Sequence, residues 1–377
     1  MARQAAAGAE GRLRDLFEKA GASWLSLPVL QPADPFLETA GEDIRRRMFV
    51  TEGGRGERLA LRPDFTIPVC LSHLASDMVP RRYAYEGAVF RRSANGASEL
   101  LETGYEDIGR ADRIAADVDA LGLATEAATS LVGVAPAMRL GDIGLFAALL
   151  AALDLPQAWR RRLRLSFGLP QRMAANLERL AVPRTGDLPD DPLAGLDEAL
   201  AAVAAKHDLN ALTDFLQGRF AEHGHSDSNG RPAAEIARRF LDQMSLRETH
   251  LDAGRLAVLR DYLALQAPLS SATETLSEFA TANGLSFGKA LEMFAGRADR
   301  ALETGATGDA VFFAAFGRPL DYYTGLVFEM TPPGASRPIA GGGRYDGLMQ
   351  MLGTVEEVPA IGFSVHLSTK TGRGGAP

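Results

Sequence analysis

Apolar and charged positions interleave at helical spacing over residues 9–22, with Leu13, Leu16 and Phe17 on one side and Gly21 as a stop. That spacing predicts an opening helix. From Trp24 to about Ile143 the pattern shortens into β-like runs broken by turn residues: SWLSLPVL, RRRMFVT, RLALRPDFTIPV, RRYAYEGAVFRR and APAMRLGDIG. These predict several strands of one antiparallel sheet. Between about Leu145 and Arg300 the period turns helical. Asp191 and Pro192 read as an N-cap with proline in the first turn, ahead of Leu193, Leu196, Leu200 and Val203 on one face. Ser271 and Glu274 have capping-box spacing before Leu276 and Phe279, with Gly284 closing that helix. Strands resume at DAVFFAAFG, GLVFEM and PAIGFSVHLS before the chain frays into TKTGRGGAP. The expected architecture is α+β, a sheet-bearing fold over 1–144 and 306–368, split by a mainly helical insertion at 145–305 and followed by a tail at 369–377.

Composition narrows the class. With 46% hydrophobic and 23% charged residues in 377, the chain is globular throughout and has material for two to three domains. Its single cysteine, Cys70, excludes an intramolecular disulfide framework and a cysteine zinc cage, and suits a reducing compartment. A cytoplasmic location without membrane attachment is expected, because the N-terminal stretch lacks a signal-like apolar core and no run is long and apolar enough to span a bilayer. A formal charge of −8 works against nucleic-acid binding, which depends on clustered lysine and arginine. The basic runs at Arg45–Arg47 and Trp159–Leu165 fit solvated helix faces.

Four stretches concentrate polar residues in apolar surroundings: LRPDFT (61–66), EGAVFRRS with LLETGYEDIG (86–109), RPLDYYTGLVFE (318–329) and IAGGGRYDGLM (339–349). Arginines that fork onto a carboxylate, acids that receive an ammonium or a ring N–H, and tyrosines that wall a cavity suit a small zwitterion. Plainer readings stand beside this one. GGGRYDG also fits a tight hairpin turn with a surface Arg–Asp pair, Tyr322 and Tyr323 fit strand packing, and Glu102 and Glu106 fit a solvated helix face. His223, His225 and Asp227 in EHGHSDSNG read as a polar loop more readily than as metal ligands, since no further ligand follows at zinc-site spacing. No metal and no cofactor is expected. His73 and His250 are isolated, and neither Ser-His-Asp nor Cys-His catalysis has a foothold in the sequence.

Taken together and in order, these stretches resemble the catalytic domain of histidyl-tRNA synthetase, a class II aminoacyl-tRNA synthetase. LRPDFT resembles the family's amino-acid-binding LRPEGT, and GAVFRR its arginine-bearing motif 2. RPLDYYTGLVFE and GGGRYDGL resemble the two histidine-specific motifs, and AIGFSVHLS resembles motif 3. The likeness covers roughly residues 10–145 and 308–368. It implies an antiparallel sheet flanked by helices, with the helical insertion between motifs 2 and 3. It also implies a histidine pocket in which Asp64, Thr66 and Glu102 hold the α-ammonium and Arg318 the carboxylate. Glu106 and Tyr323 would hold the imidazole, Tyr345 would form a wall, Tyr322 would line the same pocket, and Arg91 would stand at its phosphate side.

The departures from that family point elsewhere. Motif 3 of the synthetase ends in GLERL, whose arginine grips ATP phosphate; here HLSTK puts His366 and Thr369 where the glycine and arginine would be. After the motif 2 arginine, the synthetase's adenine-reading glutamate and arginine-rich loop give way to SANGAS (93–98). Losing groups that stabilise a developing phosphoryl charge should cripple adenylate formation. The anticodon-binding domain that follows in the synthetase is not expected either. The combination resembles the regulatory subunits of ATP phosphoribosyltransferase. That likeness implies a non-catalytic subunit with no tRNA role, which activates the short catalytic subunit and takes part in feedback inhibition by histidine. A homodimer paired near LSLPVLQPADPF, inside a hetero-oligomer, would follow. The alternative is a truncated synthetase paralogue that adenylates histidine or another amino acid.

Overall fold

A computed structural model describes the chain except residues 1, 94–97, 183–197, 223–231, 319 and 368–377. The described residues form two compact units: one of 1–149, 167–169 and 261–377, the other of 150–166 and 170–260.

The first unit opens with helix α1 (Ala2–Lys19), strands β1 (Ser23–Trp24) and β2 (Leu30–Pro32), and helices α2 (Asp34–Thr39) and α3 (Gly41–Arg47). Leu13 and Phe17 are the buried face of α1, and Gly21, at φ 77°, ends it with a bond from Ala22 N–H back to the Phe17 carbonyl. Strands β3 (Phe49–Glu52) and β4 (Arg58–Leu61) follow, then helix α4 (Thr66–Leu74), the long hairpin β5 (Arg81–Phe90) and β6 (Glu99–Ile108), helix α5 (Arg113–Val132), strand β7 (Ala137–Asp142) and helix α6 (Ile143–Ala152). The second unit carries α7 (Gln157–Arg164), α8 (Pro170–Ala181), α9 (Glu198–Ala204), α10 (Leu209–Glu222) and α11 (Ala233–Glu248), with α12 (Ala253–Ala264) leading out of it. Its core is Ala204, Leu212, Ala237 and Met244, with Leu200, Val203 and Phe240 packed against them. The first unit then resumes with β8 (Gln266–Pro268), α13 (Leu269–Ala282), α14 (Lys289–Glu303), β9 (Val311–Phe313), β10 (Leu326–Thr331), β11 (Ala340–Arg344), α15 (Leu348–Met351) and β12 (Ala360–His366).

The main sheet has nine strands in the order β1-β5-β6-β12-β11-β10-β7-β9-β8, and β2-β4-β3 form a separate three-stranded sheet. All neighbours in the large sheet are antiparallel except β1·β5 and β7·β9, so the sheet is mixed. Strands separated by the whole insertion therefore lie side by side: β6, from the first half of the chain, pairs from Glu102 to Ile108 with β12 from the end.

Several local expectations change. The run RRRMFVT is not one strand, because its arginines close helix α3. The stretch FTIPV starts helix α4, where the Asp64 carboxylate accepts the Ile67 N–H at 3.2 Å in the manner of a cap. Helix α5, in a region read as β-like, is alanine-rich and buried along most of its length; Asp112 caps it by accepting the Ala115 N–H, and Gly133, at φ 79°, ends it. No capping box forms at Ser271 and Glu274: Ser271 lies inside the first turn of α13 and donates to the Pro268 carbonyl at 3.3 Å. Helices α13 and α14, expected in the insertion, belong with the sheet unit. The cap at Asp191–Pro192 falls outside the described residues.

Candidate functional site

The middle of the large sheet carries a pocket of about 120 Å³, lined by Ile44, Arg47, Asp64, Phe65, Thr66, Tyr85, Arg91, Glu102, Arg318, Leu320, Tyr322, Tyr323, Gly341, Tyr345 and Gly362 through Ser364 with His366. Eight of the nine candidate binding residues face it, and the ninth, Glu106, is buried in contact with that wall. At this volume it is below the roughly 300–1,000 Å³ of pockets for drug-sized ligands, which suits a single amino acid.

Two glycines show how closely the backbone is drawn to these side chains. A Cβ at Gly362 would stand 1.4 Å from the Glu106 carboxylate, and one at Gly341 would stand 1.6 Å from the Arg318 guanidinium. Gly362 is Glu106's cross-strand partner on β12, so the glycine makes space for the acid. The GGG run is thus not a hairpin turn. It is buried strand β11, and Arg318 lies across it with one Nη donating to the Phe328 carbonyl at 3.3 Å.

Glu106 is the hub of the pocket's hydroxyls. Thr66 Oγ1 donates to its Oε1 at 2.8 Å, Tyr345 OH to Oε2 at 2.5 Å, and Tyr85 OH reaches Oε1 at 3.4 Å. Burial pushes its carboxyl up to about 8, with the Tyr345 and Thr66 hydrogen bonds pulling the other way. Thr66, expected at the ammonium, spends its hydroxyl hydrogen on Glu106. Tyr322 rests against both Tyr323 and Tyr345, with ring centroids 5.0 and 5.9 Å apart.

Asp64 sits on the turn into α4. Its Oδ1 accepts the Ile67 N–H, while Oδ2 is buried without a hydrogen-bond partner. Burial raises its carboxyl to about 6, against the pull of Arg91 and the backbone donors. Arg318 Nε is likewise buried and unpartnered. Glu102 is differently placed. Arg91 approaches its Oε1 at 3.2 Å and His366, its cross-strand partner on β12, at 3.3 Å, both within ion-pair range but off hydrogen-bond alignment. Burial works to raise the Glu102 carboxyl, yet Arg91 and His366 prevail and hold it below its ordinary range. Arg91 also donates from Nε to the Pro63 carbonyl at 2.6 Å. The arginine expected at the phosphate side is therefore engaged within the pocket wall.

Arg62, in the same motif, does structural work: it donates to the Ala88 and Leu27 carbonyls and lies 4.1 Å over the Phe65 ring, which stacks on Tyr85. Sequence reading missed Phe65, Tyr85 and the placement of His366 against Glu102. Alternation along β5 was the available signal for Tyr85.

The Arg–Asp pair of GGRYDG is buried, not on the surface. Arg344 donates to Asp117 at 2.5 and 2.8 Å and to Asp346 at 2.7 Å, while Arg297 bridges Asp117 and Asp142 at 2.7 Å each. Tyr345 lies between Arg344 and Asp346, so this network fixes the strand end from which its hydroxyl reaches Glu106.

His73 is fully buried and shares a 2.9 Å hydrogen bond with Tyr83 OH. His223, His225, Asp227, Thr369 and most of SANGAS fall outside the described residues. Among the described residues, no group of three His, Cys, Asp or Glu side chains is placed to hold a metal, and no helix is long and apolar enough to cross a membrane.

The chain is similar to several known proteins. A family model described as histidyl-tRNA synthetase matches residues 2–225 and 200–369. The chain is 45% identical to an ATP phosphoribosyltransferase regulatory subunit of Mesorhizobium japonicum, over 93% of each chain. It is 42% identical to a protein of that name from Brucella anthropi, over 97% of each. Among solved structures, one described as an ATP phosphoribosyltransferase regulatory subunit/histidyl-tRNA synthetase from Bacillus halodurans aligns with a TM-score of 0.63 at 20% identity, covering 97% of this chain and 78% of that one. Histidyl-tRNA synthetase of Nostoc sp. PCC 7120 aligns at 0.61 and 15% identity, covering 97% and 70%. At such identities these two structures speak for the fold, a class II synthetase-like α+β sheet.

Proposed function

Because this chain belongs to the histidyl-tRNA synthetase family, and within it to the ATP phosphoribosyltransferase regulatory subunits, we propose that it senses histidine for a short-form catalytic subunit of that enzyme. It activates that partner, takes part in its feedback inhibition, and makes no bond of its own. A homodimer paired near LSLPVLQPADPF, within the hetero-oligomer, completes the proposal.

The carrying observation is that buried polar atoms of opposite charge, Asp64 Oδ2 and Arg318 Nε among them, stand in one small pocket without a hydrogen-bond partner. Buried polar groups are seldom left unsatisfied, and a zwitterion offers an ammonium to the acid and a carboxylate to the guanidinium. Glu106, whose carboxyl burial pushes up to about 8, can accept an imidazole N–H, a partner that favours its ionised form. Glu102 already has Arg91 and His366, so Asp64 is the ammonium's seat. Arg91, the arginine expected at the phosphate side, is held on Glu102 and the Pro63 carbonyl. Histidine that binds with different strength in two states of the complex shifts their balance by that difference alone.

Calorimetry of the complex with histidine tests this. Asp64→Asn and Arg318→Ala are each expected to weaken binding about ten- to hundred-fold, the value of a charge-assisted hydrogen bond. Absence of saturable heat in the parent complex would sink the sensing role. Histidine-dependent pyrophosphate exchange by the purified chain would instead favour the adenylating alternative.

The same titration carries a pH signature. Asp64 attracts an ammonium only when ionised, so affinity should drop as pH falls through about 6, approaching tenfold per unit below that. Histidine's own ionisation contributes equally in Asp64→Asn, so the difference between the two profiles isolates Asp64. Parallel profiles would assign the ammonium to another group.

A further inference from the structure

We infer that the helical unit carries a second binding site, an arginine-lined cleft between α7 and α8 that takes a small polyphosphate anion. The cleft encloses about 350 Å³, and Arg161, Arg162, Arg172 and Arg179 line it with no carboxylate among its walls.

Its preorganisation separates it from an ordinary basic helix face. Asn176 lies on the buried side of α8 beside Met173, Leu177 and Leu180, where an apolar residue would pack more cheaply. Its Oδ1 accepts from Arg162 Nε at 2.7 Å, its Nδ2 donates to Ser166 Oγ at 2.7 Å, and Ser166 donates to the Arg162 carbonyl at 2.9 Å. From the other side Arg162 lies over the buried Trp159 ring at 5.6 Å. Its guanidinium is therefore held in one plane before any ligand arrives, which reduces the entropy lost on binding. Arg161 is oriented from outside the cleft by Asp242 at 2.5 Å. Arg172 and Arg179 are exposed and form no ion pair among the described residues.

The number of guanidiniums suits several linked phosphoryl groups better than a lone monoanion. The limited span of the cleft, walled by ten residues, favours a compact ligand over a nucleic-acid backbone, and the chain's charge of −8 opposes a long polyanion. Leu165, Leu246, Ala158 and Ala175 give the cleft an apolar wall for a group attached to the phosphates.

Trp159 supplies the readout. The chain has two tryptophans, so Trp24→Phe leaves Trp159 as the sole reporter under Arg162. Titrating that full-length variant with sodium tripolyphosphate at constant ionic strength should give a saturable fluorescence change. Adding Arg172→Ala and Arg179→Ala should raise the half-saturation at least tenfold with unchanged circular dichroism, because both side chains are exposed. Calorimetry on the chain that retains Trp24 should give the same midpoint, and Arg318→Ala should leave it unchanged. The inference is overturned by absent saturation in calorimetry, by an equal response in the double arginine variant, or by loss of binding in Arg318→Ala. Binding of tRNA alone, with steep salt dependence and no response to tripolyphosphate, overturns it too. Loss of binding in Arg318→Ala would place the anion in the sheet pocket that Arg318 lines, whereas the other outcomes leave the histidine reading untouched.

Discussion

Replacing Asp117 by alanine is expected to lower the unfolding free energy by about 3–5 kcal/mol, the cost of breaking a buried ion pair from one side. Asp117 is fully buried on α5 and is the only carboxylate shared by Arg297 on α14 and Arg344 on β11 among the described residues. Without it, two guanidiniums that are about one-twentieth exposed face each other with one acid apiece, Asp142 and Asp346. Neither can shed its charge to escape, since arginine stays protonated. Asp34→Ala is the control. It breaks a 2.7 Å pair with Arg58 that is more than half exposed on both sides, and such pairs contribute roughly 0–1 kcal/mol. Urea midpoints of the two variants decide the matter: equal small shifts would mean the buried network contributes no more than a surface pair. A second consequence follows from position. Asp346 Oδ1 also accepts the Ala360 N–H at 3.0 Å, so the network ties the end of β11 to the start of β12, the strands carrying Tyr345's approach and Gly362. Asp117→Ala should therefore weaken histidine binding as well, although Asp117 does not line the pocket.

That network shows where sequence reading stopped. Arg344 and Asp346 were visible as a pair, but whether such a pair is solvated or buried depends on what covers it. The covering acid, Asp117, is 227 residues away along the chain, on a helix that the β-like reading of its region passed over. Helix α5 was hidden because its alanines and short apolar residues are buried on several sides and leave no sharp amphipathic period. Helix α4 is hidden because FTIPV has the β-branched residues of a strand, and because Asp64, which accepts the Ile67 N–H just ahead of it, reads equally well as a ligand group. The strands of the pocket were legible because each carries a motif whose order matches the synthetase. Glu102 shows the limit of carrying roles across. Its position was legible, but its occupation by Arg91 and His366 depends on the β6·β12 register and on a histidine that stands where the synthetase has glycine.

Glu106→Gln should make the protein more stable above about pH 8 while removing most of its affinity for histidine. Glu106 is fully buried, and its carboxyl titrates near 8 against a reference of 4.5. In that window the folded chain holds a proton that the unfolded chain has released, so stability falls as pH rises from about 4.5 to about 8. The loss is complete above that value and amounts to about 3–5 kcal/mol, taking ~1.4 kcal/mol per unit of displacement. Glutamine has the shape of the protonated acid and no proton to lose. It can still accept from Thr66 through its oxygen, and its amide can donate to the Tyr345 oxygen. The sign is the reverse of that for a salt-bridged acid, whose removal destabilises the protein as pH rises. Denaturation midpoints across pH 5–9 should therefore slope downward in the parent, while Glu106→Gln keeps only the shallower fall that buried Asp64 contributes up to about pH 6, the curves meeting near pH 5 and parting above it. Histidine should reduce the parent's slope, because an imidazole bound at Glu106 gives its ionised form a partner. A parent profile without that slope, or a glutamine variant that binds histidine as tightly as the parent, would remove Glu106 from the imidazole site and leave it as a packing group beneath Tyr345.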